Sequence, residues 1–114
     1  MSACIFCRII NGDIPAKVVY QDEQVMAFED INAQAPVHFL VIPKRHVASV
    51  QDCQIEDQAL LGHLLLTCSR AARMKLLAES GYRIVTNTGR DGGQTVSHLH
   101  LHVLGGRPMT WPPG

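Results

Sequence analysis

A chain of 114 residues with 46% hydrophobic and 18% charged residues is long enough for one core, short for two, and too apolar for a disordered segment. Ten basic residues balance ten acidic ones, and without a basic excess sequence-independent binding to nucleic acid is not expected. No window approaches 18 uninterrupted apolar residues, and MSACIFCRIINGD lacks a basic segment followed by a long apolar run. Neither a membrane span nor a secretory leader is expected, and the chain reads as cytoplasmic.

In chain order, CIFCRII (4–10) carries Ile5, Phe6, Ile9 and Ile10 at helical spacing, a short helix stopped by the turn residues of NGDIP. VVYQ (18–21) and VMAFED (25–30) read as two strands of a hairpin across DEQ. VHFLVIP (37–43) is a third strand, closed by Pro43. A long helix is expected over 54–79, with Asp52 as N-cap, Gly81 as C-cap, and Leu61, Leu64, Leu65, Cys68, Ala72 and Leu76 as its buried stripe. YRIVTN (82–87) is a fourth strand, TGRDGGQ a glycine-rich loop, TVSHLHLHVL (95–104) a fifth strand, and 105–114 an irregular tail. Hairpin-linked strands with one packed helix predict a single α+β domain over 1–114, built on a mainly antiparallel five-stranded sheet.

Half of the six histidines fall in that fifth strand, at His98, His100 and His102. Strand alternation sends Leu99, Leu101 and Val103 to one face, under the long helix, and the three imidazoles to the other. Three imidazoles on one face fit two chemistries. One is a metal site, in which H-x-H supplies two nitrogens. The other is nucleophilic catalysis, in which one neutral imidazole attacks while its neighbours orient it or move protons. Spacing alone leaves both open. The preceding GRDGGQT can turn successive N–H groups toward an anion, and it is equally an ordinary hairpin turn.

Four cysteines without a secretory signal point to reduced, buried or metal-bound thiols. Cys4 and Cys7 form C-x-x-C, which is half of a tetrahedral zinc site or simply two small buried thiols; a redox pair lacks the thioredoxin-like context. Cys68 falls on the apolar helical stripe, Cys53 has no evident partner, and His63 within the helix reads as structural.

HLHLHV fits the alternating signature of the histidine triad (HIT) superfamily. IFCRIINGDIPAKVVYQDE, AFEDINAQAPVHFLVIPKRH, GYRIVTNTGRDGGQ and LHVLGGRPMTWPPG extend the similarity to its Hint branch over nearly the whole chain. The resemblance implies a HIT-like α+β fold whose sheet continues across a homodimer. It also implies binding of purine nucleoside monophosphates and hydrolysis of nucleoside 5′-phosphoramidates through a nucleotidyl–histidine intermediate. By position, His100 matches the nucleophile, His38 the residue that orients the nucleophile's other nitrogen, and His102 a phosphate contact that assists proton delivery. Histidine's ordinary pKa of about 6.5 suits a neutral nucleophile. Thr95 stands where many relatives have serine, and its hydroxyl can still donate to phosphate or pass a proton to the leaving amine. Asn87, Gly93 and Val96 complete the phosphate and leaving-group surroundings. Asp30 matches the carboxylate that takes both ribose hydroxyls, and Ile5, Phe6, Ile9, Phe28 and Ile31 the apolar slot around the base.

Histidine rather than glutamine at position 102, together with the WPPG ending, favours phosphoramidate over dinucleoside polyphosphate cleavage. The resemblance further implies a structural zinc, since several relatives that carry the cysteine pair bind one through positions matching Cys4, Cys7, His46 and His98. Two rival readings stand beside this one: a zinc-dependent hydrolase using the triplet as catalytic ligands, and a non-catalytic nucleotide-binding scaffold that presents Trp111 and its tail.

Overall fold

The computed structural model describes residues 3–114, so the first two residues of the expected domain lie outside the described residues. Its elements are α1 (Ile5–Ile10), β1 (Val18–Gln21), β2 (Val25–Glu29), β3 (Val37–Pro43), α2 (Gln58–Met74), β4 (Tyr82–Val85) and β5 (Leu101–Gly105). The five strands form one antiparallel sheet in the order β1-β2-β3-β5-β4. Among the described residues no helix is long and apolar enough to cross a membrane.

Strand alternation divides the sheet into two faces. Val25 and Ala27 of β2, Phe39 and Val41 of β3, and Leu101 and Val103 of β5 pack with Leu64, Cys68, Ala71 and Ala72 of α2. On the opposite face Met26, Phe28, Leu40 and Ile42 pack with Phe6 of α1. The long helix therefore covers one face and the short helix only part of the other, which leaves room for a cavity. The β1–β2 hairpin is held by Asp22, whose Oδ1 accepts from the backbone N–H groups of Gln24 (2.8 Å) and Val25 (2.9 Å). His63 is structural as expected: its Nε2 meets Asp22 Oδ2 at 2.7 Å and ties α2 to that turn.

The long helix begins later and ends earlier than its sequence pattern implies. Two short 3-10 turns, Val50–Asp52 and Ile55–Asp57, precede α2, so Asp52 is not its N-cap. The Gln54 N–H instead donates to Asp57 Oδ2 at 2.8 Å. At the other end Leu77 N–H reaches Ala72 O (2.9 Å) and Leu76 N–H reaches Arg73 O (3.0 Å), a Schellman motif. Leu76 holds the left-handed position at φ 63°, where glycine is usual, while Gly81 (φ 96°) lies beyond the helix at the entry to β4. This geometry turns Leu76 out to solvent. Leu65 is exposed as well, and the buried stripe runs through Thr67 and Ala71 instead.

The last two strands are shorter than expected. β4 stops at Val85, because Thr86 Oγ1 donates to the His100 carbonyl at 2.9 Å in place of a ladder bond. The expected 95–104 strand is regular only from Leu101; before it, Leu99 N–H bonds the loop carbonyl of Val47, and Gln94 Nε2 donates to both Ala48 O and Val96 O. The alternation of faces survives: Leu99, Leu101 and Val103 all enter the core beneath α2.

Candidate active site and metal-binding cluster

On the face that α2 leaves free, a cavity of about 520 Å³ opens between α1, the β2–β3 loop and the histidine segment. Ile5, Phe6, Ile9, Phe28 and Ile31 form an apolar wall, joined by Ile14, Pro15 and Ala16 of the turn after α1. Asp30, His38, Thr95, Val96, His100 and His102 supply the rest of the expected lining. Asn87 and Gly93 do not line it; the 89–94 turn closes on itself through Gln94 N–H to Gly89 O (3.0 Å) and Gly93 N–H to Arg90 O (3.0 Å). Gln34, Asn32, Glu29 and Leu40 also reach the cavity without having been singled out in the sequence. Of these, only Leu40 had a legible signal: it shares the period-two face of His38.

The protons on the three cavity imidazoles follow from their partners. His100 is buried and its Nδ1 lies 2.7 Å from the carbonyl of His98. A carbonyl only accepts, so Nδ1 carries the proton and Nε2 keeps a free lone pair. The backbone N–H of Gln34 donates to His38 Nδ1 at 3.0 Å, which places the His38 proton on Nε2. That Nε2 stands 2.9 Å from His102 Nδ1 and 3.4 Å from Asp30 Oδ2. His102 therefore accepts at Nδ1 and carries its proton on Nε2. The role expected of His38 is corrected here: a main-chain carbonyl orients the His100 ring, and His38 orients His102.

Burial sets the charge of this group. It pushes His102 down to about 4, with the His100 and His38 rings adding to the shift. It lowers His38 as well, against the pull of the Asp30 and Glu29 carboxylates. The pair is thus uncharged at neutral pH. Asp30 Oδ1 accepts from Asn32 N–H at 2.8 Å, which fixes the carboxylate at the cavity wall with lone pairs to spare.

His98 faces a different neighbourhood. Its Nε2 donates to the Pro43 carbonyl at 2.8 Å, so its lone pair is on Nδ1. That atom is 3.3 Å from Cys4 Sγ, 3.6 Å from Cys7 Sγ and 3.1 Å from His46 Nδ1, and Cys7 Sγ is 3.3 Å from His46 Nδ1. Four soft or borderline donor atoms lie within 4.8 Å of one another, the donor set and spacing of a closed tetrahedral zinc site. Burial lowers His98 and favours the neutral form a metal needs. The residues fit zinc. The triplet does not act as one ligand set, since His98 groups with the cysteines, His102 groups with Asp30 and His38, and His100 belongs to neither. The remaining thiols are structural: burial pushes Cys68 up to about 12, and half-buried Cys53 donates to Ser49 O.

Comparison with known proteins agrees with this geometry. The model of the HIT domain matches residues 11–109. An uncharacterized HIT-like protein of Synechococcus elongatus is 56% identical over 110 residues, 96% of each chain. The crystal structure of a HIT family hydrolase from Legionella pneumophila superposes with a TM-score of 0.95 at 50% identity, covering 97% of this chain and 99% of that one. The histidine triad nucleotide-binding protein of Candida albicans gives a TM-score of 0.81 at 32% identity, over 89% of this chain and 73% of its own. With its alternating histidines lining a cavity on a five-stranded antiparallel sheet, this chain belongs to the HIT domain family.

Proposed function

We propose that the protein is a homodimeric hydrolase of purine nucleoside 5′-phosphoramidates. The observation that carries the reading is His100: its Nδ1 is held by a backbone carbonyl and its free Nε2 lone pair belongs to a residue lining the cavity that Asp30 also lines. The relatives described as HIT family hydrolases and as a nucleotide-binding protein support it.

In this mechanism the base lies in the apolar slot of Ile5, Phe6, Ile9, Phe28 and Ile31, and Asp30 accepts from the ribose hydroxyls. His100 Nε2 attacks the α-phosphorus, an N–P bond forms, and the P–N bond to the leaving group breaks in line. The amine departs with the Thr95 hydroxyl proton, and the hydroxyl regains one from solvent water. Water then attacks the nucleotidyl–histidine and releases the nucleoside monophosphate. His102 donates from Nε2 to a phosphate oxygen, where negative charge builds in the transition state. Zinc held by Cys4, Cys7, His46 and His98 would be structural: four protein ligands leave no open position, and the bound metal pins α1 to the histidine segment.

Two surfaces support the dimer. β4 is an edge strand with an unpaired side, and α2 exposes Leu65 and Leu66 one turn beyond Gly62, where nothing crowds the helix backbone. Arg83 of β4 donates to Thr110 O at 2.7 Å, which fixes the tail and exposed Trp111 beside that edge. In a dimer paired through β4 the tail lies near the partner subunit. Light scattering that finds only monomer at working concentration rejects the dimer, and deletion of residues 109–114 without change in substrate preference rejects a role for the tail.

The deciding assay is amine release from an adenosine 5′-phosphoramidate by the wild type and His100→Ala side by side. Turnover by the wild type alone is the expected result. Nucleotide affinity without turnover of any phosphoramidate would instead leave a binding protein.

A further inference from the structure

We infer that Arg107, an exposed residue outside the cavity, is a positioning residue that sets the tautomers of His38 and His102. The inference rests on the proposed hydrolysis only for its kinetic consequence.

The chain of contacts is continuous. Arg107 Nη2 donates to the Gln34 carbonyl at 2.9 Å. The Gln34 N–H donates to His38 Nδ1 at 3.0 Å, and His38 Nε2 lies 2.9 Å from His102 Nδ1. Gly106 brings the two segments together: at φ 89° it lies so close to Pro36 that an added Cβ would stand 2.8 Å from the proline Cβ. The turn leaving β5 thus holds the β2–β3 loop at two points, the Pro36 ring and the Gln34 carbonyl, and Gln34 carries the second contact to its own N–H one peptide back. The arginine's other contacts, Nη1 to Pro108 O (3.1 Å) and to Met109 Sδ (3.5 Å), are within the tail.

The consequence lies in proton placement. The Gln34 N–H is the contact that marks His38 Nδ1 as an acceptor. If the loop shifts, Nδ1 loses that donor and only the longer contact of Nε2 with Asp30 Oδ2 (3.4 Å) still favours the proton there; a His38 with its proton on Nδ1 no longer donates to His102. His102 is then free to place its own proton on Nδ1, facing His38. Its Nε2, the atom assigned to the phosphate, would carry a lone pair where a donor is needed. Two anionic or lone-pair groups would then face each other in the transition state. A surface guanidinium thereby controls a donor in the cavity without touching substrate.

The test compares wild type, Arg107→Met and Arg107→Lys in three readouts: kcat and KM on an adenosine 5′-phosphoramidate, affinity for AMP, and the histidine tautomers from long-range 1H–15N spectra of labelled protein. In the wild type, His38 is expected wholly protonated at Nε2. Arg107→Met is expected to mix the His38 tautomers and lower kcat roughly 10-fold, less than the 10²–10⁴-fold a full proton-transfer contribution is worth. AMP, whose phosphate uses the same His102 donor, should bind a few-fold more weakly while the melting temperature holds, and Arg107→Lys, which keeps a cationic donor, should restore part of the tautomer and kcat signals. Unchanged tautomers in Arg107→Met overturn the inference. So does a fall in melting temperature that accounts for the lost turnover, which would mark the arginine as a brace for the fold. If the wild type turns over no phosphoramidate, the proposed function fails by itself, and the tautomer spectra still decide the role of Arg107.

Discussion

His98 and His100 sit two residues apart on one segment, yet the first looks into two thiols and a second imidazole and the second lines an open cavity beside a carboxylate. Both rings are oriented by a backbone carbonyl, but through opposite nitrogens. Pro43 O takes the Nε2 proton of His98 and turns Nδ1 toward the cysteines. His98 O takes the Nδ1 proton of His100 and leaves Nε2 bare. One residue type thus joins a four-donor cluster at one position and lines a cavity at the other, and the difference is made by which nitrogen the main chain occupies. Phe6 stands between the two, its ring edge-on to His98 (5.8 Å between centroids) and to His100 (5.2 Å).

The comparison breaks most sharply at His100. His100→Ala should lower phosphoramidate turnover by at least ~10⁴-fold, the scale seen when a nucleophile is removed from a group that acts as a unit. Its melting temperature and zinc content should match the wild type. A mutant that loses both activity and zinc would show that the two clusters are one.

The reverse experiment is metal removal. With free zinc a thousandfold above its Kd, chelation should cost about 4 kcal/mol of stability. Cys7→Ser should reproduce that loss, with kcat at low temperature within a few-fold of wild type. Activity that vanishes on chelation while the fold persists would assign the metal to chemistry instead. The opposition between cage and cavity would then be wrong.

How much of this was visible in the sequence can be judged residue by residue. The leucine–histidine alternation predicted both faces correctly, because side-chain period is a property of extended backbone even where the ladder is interrupted. Cys4, Cys7, His46 and His98 converge as the resemblance implies. The orienting groups were not legible, since any residue offers the carbonyl that His98 gives to His100 and the N–H that Gln34 gives to His38. Residue types carry no record of main-chain partners. The helix ends were misplaced for a related reason: Leu76 takes a left-handed conformation that side-chain statistics assign to glycine, and the 3-10 turns before Gln58 have no hydrophobic period.

Asp30 tests the cavity alone. Asp30→Asn removes the charge that strengthens hydrogen bonds to ribose, worth about 1.5–3 kcal/mol. KM should rise by roughly 10–100-fold with a smaller change in kcat. Equal losses for a substrate lacking the ribose hydroxyls would place Asp30 with His38 rather than with the sugar.

Acid separates the clusters more gently. His38 and His102 titrate lower in the folded chain than the ordinary value of 6.5, chiefly through burial, and His102 does so near 4. As pH falls, the unfolded chain takes up these protons first. Their contribution is therefore complete above about pH 6.5, declines from there toward 4, and flattens below. Thermal unfolding from pH 8 to 4 should show that fall. The His102→Asn variant should flatten part of it, and an unchanged slope would mean that other groups dominate.

Phe6→Leu gives the smallest effect and the finest discrimination. The ring is 6% exposed and also packs edge-on to Phe28 at 5.6 Å, so losing it should cost about 1–2 kcal/mol in packing and aromatic contact. Because it touches His98 and His100 alike, zinc affinity and kcat should both weaken a few-fold. If kcat falls while zinc affinity holds, the ring is part of the cavity wall, and the Pro43 carbonyl alone suffices to orient His98. If zinc affinity falls alone, the carbonyl of His98 holds the nucleophile without help from the ring, and the two clusters share a chain segment but no packing.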